Sequence, residues 1–396
     1  MARRRKDEPA ASIDGLLAAK EIVVACGPGG VGKTTTAAAA ALQAAVHHGS
    51  KVLVLTVDPA KRLANALGLD GIGNQEHRVP DAAFAAAGVK PRGELWAAML
   101  DTKESWDALI RQHAPDEATR DEILANQLYQ NITGRFVQSH DYIAMERLYE
   151  IHSTGTYDLI VVDTPPTRNA LDFLDAPERL ADFFSSRLLR WLTVPARSRL
   201  VNLATRPFYQ IADRILGTEF LSDIAEFFLL FQTMYGGFVE RSQAVSRLLS
   251  DQRTTFMVVS TLEAAPLREA EFFAEELTAR KLDLGAIVLN KVLPDYLRDR
   301  TAARVAEGLK EGADVVAGSL TASRPAGDGL GDTAQVARVL TEVSDSYCNY
   351  QVVAMRELEQ RSALAVAPDV LATVPFFETD IYDLAGLLRL GEQIWG

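Results

Sequence analysis

Eight residues constrain this chain more than any other stretch. Gly27–Thr34, GPGGVGKT, fits the pattern G-x-x-x-x-G-K-[ST] at every fixed position. The apolar run EIVVAC, Glu21–Cys26, enters the segment, and TTTAAAAALQAA leaves it. A strand that turns through a glycine-rich loop into a helix is the context this pattern requires. It predicts an α/β fold with the loop at the carboxyl edge of a sheet.

Each residue type in the loop has a physical reason. Gly27, Gly29, Gly30 and Gly32, with Val31 between them, let the backbone approach an anion in conformations closed to side chains. Backbone N–H groups and the helix N-terminus then face phosphate oxygens. Lys33 supplies charge to the β- and γ-phosphates. The Thr34 hydroxyl is placed to ligate Mg²⁺, and Thr35 to cap the helix or touch the α-phosphate.

Further apolar, β-branched runs alternate with helical patterning. Lys51–Val57, Leu95–Leu100, Tyr157–Asp163, Thr254–Ser260, Gly285–Asn290 and Val370–Phe376 read as strands beside Glu21–Cys26. Continuous apolar runs suit strands covered on both faces, hence a doubly wound, mostly parallel sheet. Pro177–Ser250 offers no strand and reads as a helical subdomain inserted in the core. The expected organisation is a basic tail at 1–12, a core at 13–176 and 251–396, and the insert at 177–250. Ala317–Asp332 is rich in Gly, Ser and Pro and reads as a loop. One long helix follows, on the spacing of Val336, Leu340, Val343, Tyr347, Tyr350, Met355 and Leu358.

Two aspartates close strands, where open α/β sheets place their ligands. Asp163 ends YDLIVVD and is expected to hold Mg²⁺, directly or through water. Asp58 ends KVLVLTVD and is expected to orient the attacking water. A turn or helix-cap role remains open for each.

A net charge of -12 argues against nucleic-acid binding. Two cysteines, Cys26 and Cys348, are too few for a disulfide framework and fit a cytoplasmic protein. The longest apolar run of the helical region, Phe227–Phe231, is far short of the roughly 20 residues a membrane span needs. Asn290-Lys291 begins like the guanine motif NKxD, but Leu293 stands where its Asp belongs.

On these residues the chain resembles the ATPases of arsenite pumps and of tail-anchored-protein targeting, the ArsA/GET type, within the wider class of MinD, ParA and the nitrogenase iron protein. The resemblance rests on GPGGVGKTTTAAAAA, on TVDPAKRLANALG as a first switch and on VVDTPPTRNALDFLDAP as a second. VLNK at Val288–Lys291 is similar to the segment whose Asn, here Asn290, contacts adenine. VPFFETDIYDL resembles the adenine-side loop, with Pro375 and Phe376 near the base. The resemblance implies ATP and Mg²⁺ as cofactors, a dimer, and a helical subdomain that moves with the switches.

Three departures qualify it. Pro28 stands where the family has a lysine that reaches the partner's phosphates, so slow turnover of the isolated protein is expected. A heterodimer with a paralogous ATPase carrying that lysine stays open beside a homodimer. The zinc CxxC is absent, so no zinc is expected, and an arsenite site lacks its thiols. Arg168 and Asn169 replace the usual Gly and His of the second switch. The resulting expectation is an ATPase whose cycle drives a protein-client surface on the helical insert. The alternatives are a MinD/ParA-like positioning ATPase and an enzyme spending ATP on a small molecule.

Overall fold

The computed structural model describes residues 12–57, 62–69, 71–130, 137–165, 227–231, 233–323, 332–364 and 368–395, with Asp175, Arg179 and Asp182. In chain order its first half runs α1 (Ile13–Ala19), β1 (Ile22–Cys26), α2 (Lys33–His47), β2 (Lys51–Thr56), α3 (Arg62–Ala66), β3 (His77–Arg78), α4 (Asp81–Ala86) and β4 (Glu94–Met99). Then come α5 (Thr102–His113), α6 (Glu117–Ala125), α7 (Val137–Ser153), β5 (Leu159–Asp163), α8 (Tyr235–Leu249), β6 (Thr254–Ser260) and α9 (Ala264–Ala279). The remainder is β7 (Leu284–Val292), α10 (Arg300–Glu311), α11 (Ala313–Ala322), α12 (Thr333–Ala363), β8 (Val370–Pro375) and α13 (Leu384–Trp395).

The strands form one sheet in the order β3-β4-β2-β5-β1-β6-β7-β8. β3 pairs antiparallel with β4, and every other pairing is parallel. The seven expected strands are all present; the two-residue β3 is an addition that no apolar run announces. From β1 the chain builds outward through β2 and β4 and returns to β5. It then continues on the other side of β1 through β6, β7 and β8. The crevice at the carboxyl end of β1 is therefore where such sheets bind ligands.

Helices cover both faces, which is why β1, β5 and β6 are buried along their whole lengths. On one face lies α2, whose alanines at 37–41, 44 and 45 are fully buried and let helix and sheet approach closely. α13 closes over α2 with Leu384, Leu387 and Leu390 buried. α13 thus turns these leucines into the core. No described helix is long and apolar enough to cross a membrane.

The other face carries an aromatic core. Phe231 stacks on Phe238 at 5.7 Å between ring centroids, and Trp106 stacks on Tyr142 at 5.8 Å. From the span expected as an insert, Phe227, Phe231 and Phe238 are buried here and Phe228 packs against them, partly buried. Nearby, Arg241 Nε lies 2.5 Å from Glu146, whose carboxyl is pushed up by burial despite the guanidinium.

Two expectations need adjustment. Ala317–Asp332 is expected as a loop, but α11 carries helix to Ala322, because Ala313 and Ala317 pack against Val336 and Ala337 of α12. The remainder of that stretch up to 331 lies largely outside the described residues. The long helix α12 forms as expected, yet it packs through Val336, Ala337, Ser344 and Ala354, while Val343, Tyr350, Met355 and Leu358 are exposed.

The aromatic core yields a stability test. Phe231→Ala is expected to cost about 3–5 kcal/mol, as truncation of a buried Phe does, read from chemical denaturation.

Candidate functional site

The loop leaves β1 as a backbone that ordinary residues could not follow. Gly27 has φ 146°, and a Cβ there would fall 2.0 Å from the Val259 carbonyl oxygen of β6. Gly32 has φ 95°, and its Cβ would meet Asn290 Nδ2 at 2.3 Å. Both positions exclude side chains through sterics and backbone conformation alike.

Gly32 also caps α2, and it does so without a side chain. α4, α8, α9 and α11 likewise have no side-chain cap, whereas α5, α6 and α12 do. Their N-caps, Asp101, Asp116 and Asp332, each accept a first-turn N–H. The N-terminus of α2 keeps its donors and positive dipole end for another anion. Lys33, the first residue of α2, is buried, and its ammonium donates to the Pro28 carbonyl at 2.8 Å.

Asp163 ends β5 beside this loop and is 1% exposed. Its Oδ2 accepts from the Thr34 hydroxyl at 2.7 Å and from the Thr56 hydroxyl of β2 at 3.0 Å. Two hydroxyls and a carboxylate give a hard oxygen donor set, which suits Mg²⁺ better than a sulfur- or nitrogen-preferring metal. Thr56 was not singled out in the sequence; its position at the end of a strand adjacent to β5 would have indicated it. Thr164, next to Asp163, fastens β5 to β1 by donating to the Ala25 carbonyl at 2.9 Å.

Asn290 is brought to the loop from the far side. Its Nδ2 donates to the Val31 carbonyl at 2.7 Å, and its Oδ1 accepts from the Lys291 amide at 2.9 Å. The residue expected at the base braces the loop. Pro375 pairs with Val292, and the Phe376 amide donates to the Val292 carbonyl at 2.9 Å. Phe376 is 54% exposed at the same carboxyl edge. Thr35 is half-buried in the first turn of α2. Asp58, Arg168 and Asn169 lie outside the described residues.

The pairing of β7 with β8 slips between Leu289 and Val292, against Thr373 and Pro375, which inserts one extra residue. Lys291 sits in this bulge with φ 59°. A left-handed backbone costs a non-glycine residue roughly 1–2 kcal/mol. Its exposed side chain ends on the loop, with Nζ 3.3 Å from the Gly30 carbonyl oxygen.

Cys26, at the loop entrance, is fully buried, and burial raises its thiol well above the usual range. Its Sγ faces the Met257 carbonyl at 3.7 Å. The surroundings are those of a packing residue, not of a thiolate ligand.

Comparison with known proteins agrees with this geometry. A family model described as anion-transporting ATPase matches residues 20–311. The chain is similar to ATPase BagA of Mycobacterium tuberculosis, 26% identical over 393 residues that cover 96% of this chain and 93% of the relative. It is also similar to ATPase get3 of Aspergillus terreus, 27% identical over 270 residues, 67% of this chain and 72% of that one. With an ATPase ASNA1 homolog of Entamoeba dispar it shares 24% identity over 288 residues, 70% of this chain and 80% of the other.

The brace at Asn290 generates a prediction. Asn290→Ala leaves the buried Val31 carbonyl without this donor and is expected to lower stability by about 1–3 kcal/mol, measured by thermal unfolding with no nucleotide added.

Proposed function

This chain belongs to the anion-transporting ATPase family and is an ATPase, and from that premise we propose that Gly27–Thr34 holds the phosphates of Mg-ATP. Thr34 and Asp163 are its metal-side ligands, directly or through water. The observation that carries this reading is the buried Asp163 carboxylate. It accepts from both Thr34 and Thr56 at the mouth of a loop whose helix has no side-chain cap.

Each residue then has a task. The loop N–H groups and the N-terminus of α2 bind the phosphate chain. Lys33 exchanges the Pro28 carbonyl for β- and γ-phosphate oxygens, a stronger, charge-assisted partner. Thr35 meets the α-phosphate. Asn290, Pro375 and Phe376 flank the base. Asp58 orients the attacking water. When bound, Mg²⁺ supplies charge neutralisation between the phosphates.

Pro28 is buried and has neither an N–H nor a charge to offer. A cation at a phosphoryl-transfer site is worth 10³–10⁵ in rate in other NTPases. Turnover by this chain alone is therefore proposed to be slow. The proposal extends to a cytoplasmic dimer, of like chains or with a paralogous ATPase, whose ATP-driven closure moves the two switches. It also includes a protein-client surface within residues 177–250. Of that span, Phe227, Phe231 and Phe238 are buried, so a client would meet other residues, and most of 177–226 lie outside the described ones.

The reading is tested by ligand-induced stabilisation. Mg-ATP at 100 times its Kd is expected to stabilise the fold by about 2.7 kcal/mol, a shift of a few degrees in Tm for a chain this long. Lys33→Ala is expected to abolish the shift. A shift of the same size in that variant would mean that the nucleotide binds elsewhere.

A further inference from the structure

Along a strand, successive side chains point to opposite faces. Asn290 and Lys291 are successive residues of β7, yet both reach the phosphate loop, one at Val31 and the other at Gly30. The bulge against β8 and the left-handed conformation of Lys291 make that convergence possible.

The other described non-glycine residue with positive φ, Lys281, has an ordinary explanation. It follows α9, and its amide and that of Leu282 bond back to Thr278 and Leu277, as a helix terminus does. Lys291 closes no helix. What its strained backbone achieves is the placement of an exposed ammonium on the loop. Strain maintained at a ligand-binding edge is a pointer to function.

The loop has a use for that ammonium. Pro28 contributes no N–H and no charge to it, and Lys33 approaches from the buried side. Lys291 approaches the exposed side, where Gly29 and Gly30 are open to solvent. Its partner there is a neutral carbonyl 3.3 Å away. A polyphosphate held by the same loop offers anionic oxygens, which form the shorter and stronger charge-assisted bonds. Rotation about side-chain bonds is enough for the exchange, because the ammonium already stands on the loop backbone.

We propose that Lys291 is a second phosphate-binding cation of this site, carried on the β7 bulge and transferred from the Gly30 carbonyl to the phosphate chain of the nucleotide. The proposal rests on the reading of Gly27–Thr34 as the nucleotide site.

The test compares the unmodified protein with Lys291→Gln, Lys291→Arg and Lys33→Ala, by equilibrium titration of Mg-ATP and by acylation of lysines read by mass spectrometry. Lys291→Gln is expected to weaken Mg-ATP binding by about tenfold, the loss of one charge-assisted contact. Lys291→Arg is expected to restore most of it, and melting without nucleotide should be unchanged in both. Mg-ATP should protect the Lys291 amine from acylation, whereas adenosine at the same concentration should not. Unaltered affinity in Lys291→Gln, or equal labelling with and without Mg-ATP, would overturn the proposal. If Lys33→Ala loses binding while Lys291→Gln does not, the inference about Lys291 fails and the nucleotide site stands. If Lys33→Ala binds normally, the site itself is wrong and the inference falls with it.

Discussion

The rest of the site depends on one buried carboxylate. Asp163 Oδ2 receives two hydroxyl donors, from Thr34 at the start of α2 and from Thr56 at the end of β2. Three elements that are distant in sequence are thereby held together at one atom. A buried charge is tolerated where hydrogen bonds or a counter-charge offset its desolvation. The Asp163 contacts therefore hold β2, β5 and the loop in fixed relation. The oxygens gathered here, one carboxylate and two hydroxyls, are also the hard ligands a divalent cation requires.

The loop is braced from its other side as well. Gly27 passes so close to Val259 that no side chain fits, and Gly32 lies directly under the Asn290 amide. β6 and β7 thus shape the phosphate loop as firmly as β1, which leads into it. The loop that leads to the N-terminus of α2 is thus held from both sides before any ligand arrives, and such preorganisation lowers the cost of binding.

Much of this was legible in the residues. Seven strands read correctly because parallel strands buried on both faces leave continuous apolar runs, and the loop motif carries its own strand and helix context. The illegible parts depend on partners distant in sequence. The β7 bulge arises from register against β8, eighty residues on, and VLNK carries no mark of it. Thr56 acquires its contact only once β2 lies beside β5. In α12 the spacing of large apolar residues identified the helix but not its buried face, since small residues make the close packing. In the apolar run at Phe227–Phe231, contact with Trp106 and Phe238 places Phe231 in the core.

The most direct test of the central claim is the Mg²⁺ dependence of ATP binding, measured by calorimetry on the unmodified protein and on Asp163→Asn. The substitution removes the charge and keeps the size and one acceptor oxygen. If Asp163 and Thr34 form the metal side of the site, Mg²⁺ should strengthen ATP binding in the unmodified protein and have little effect in the variant. Binding without the metal should be similar in both. A variant that retains the full Mg²⁺ enhancement would contradict the account.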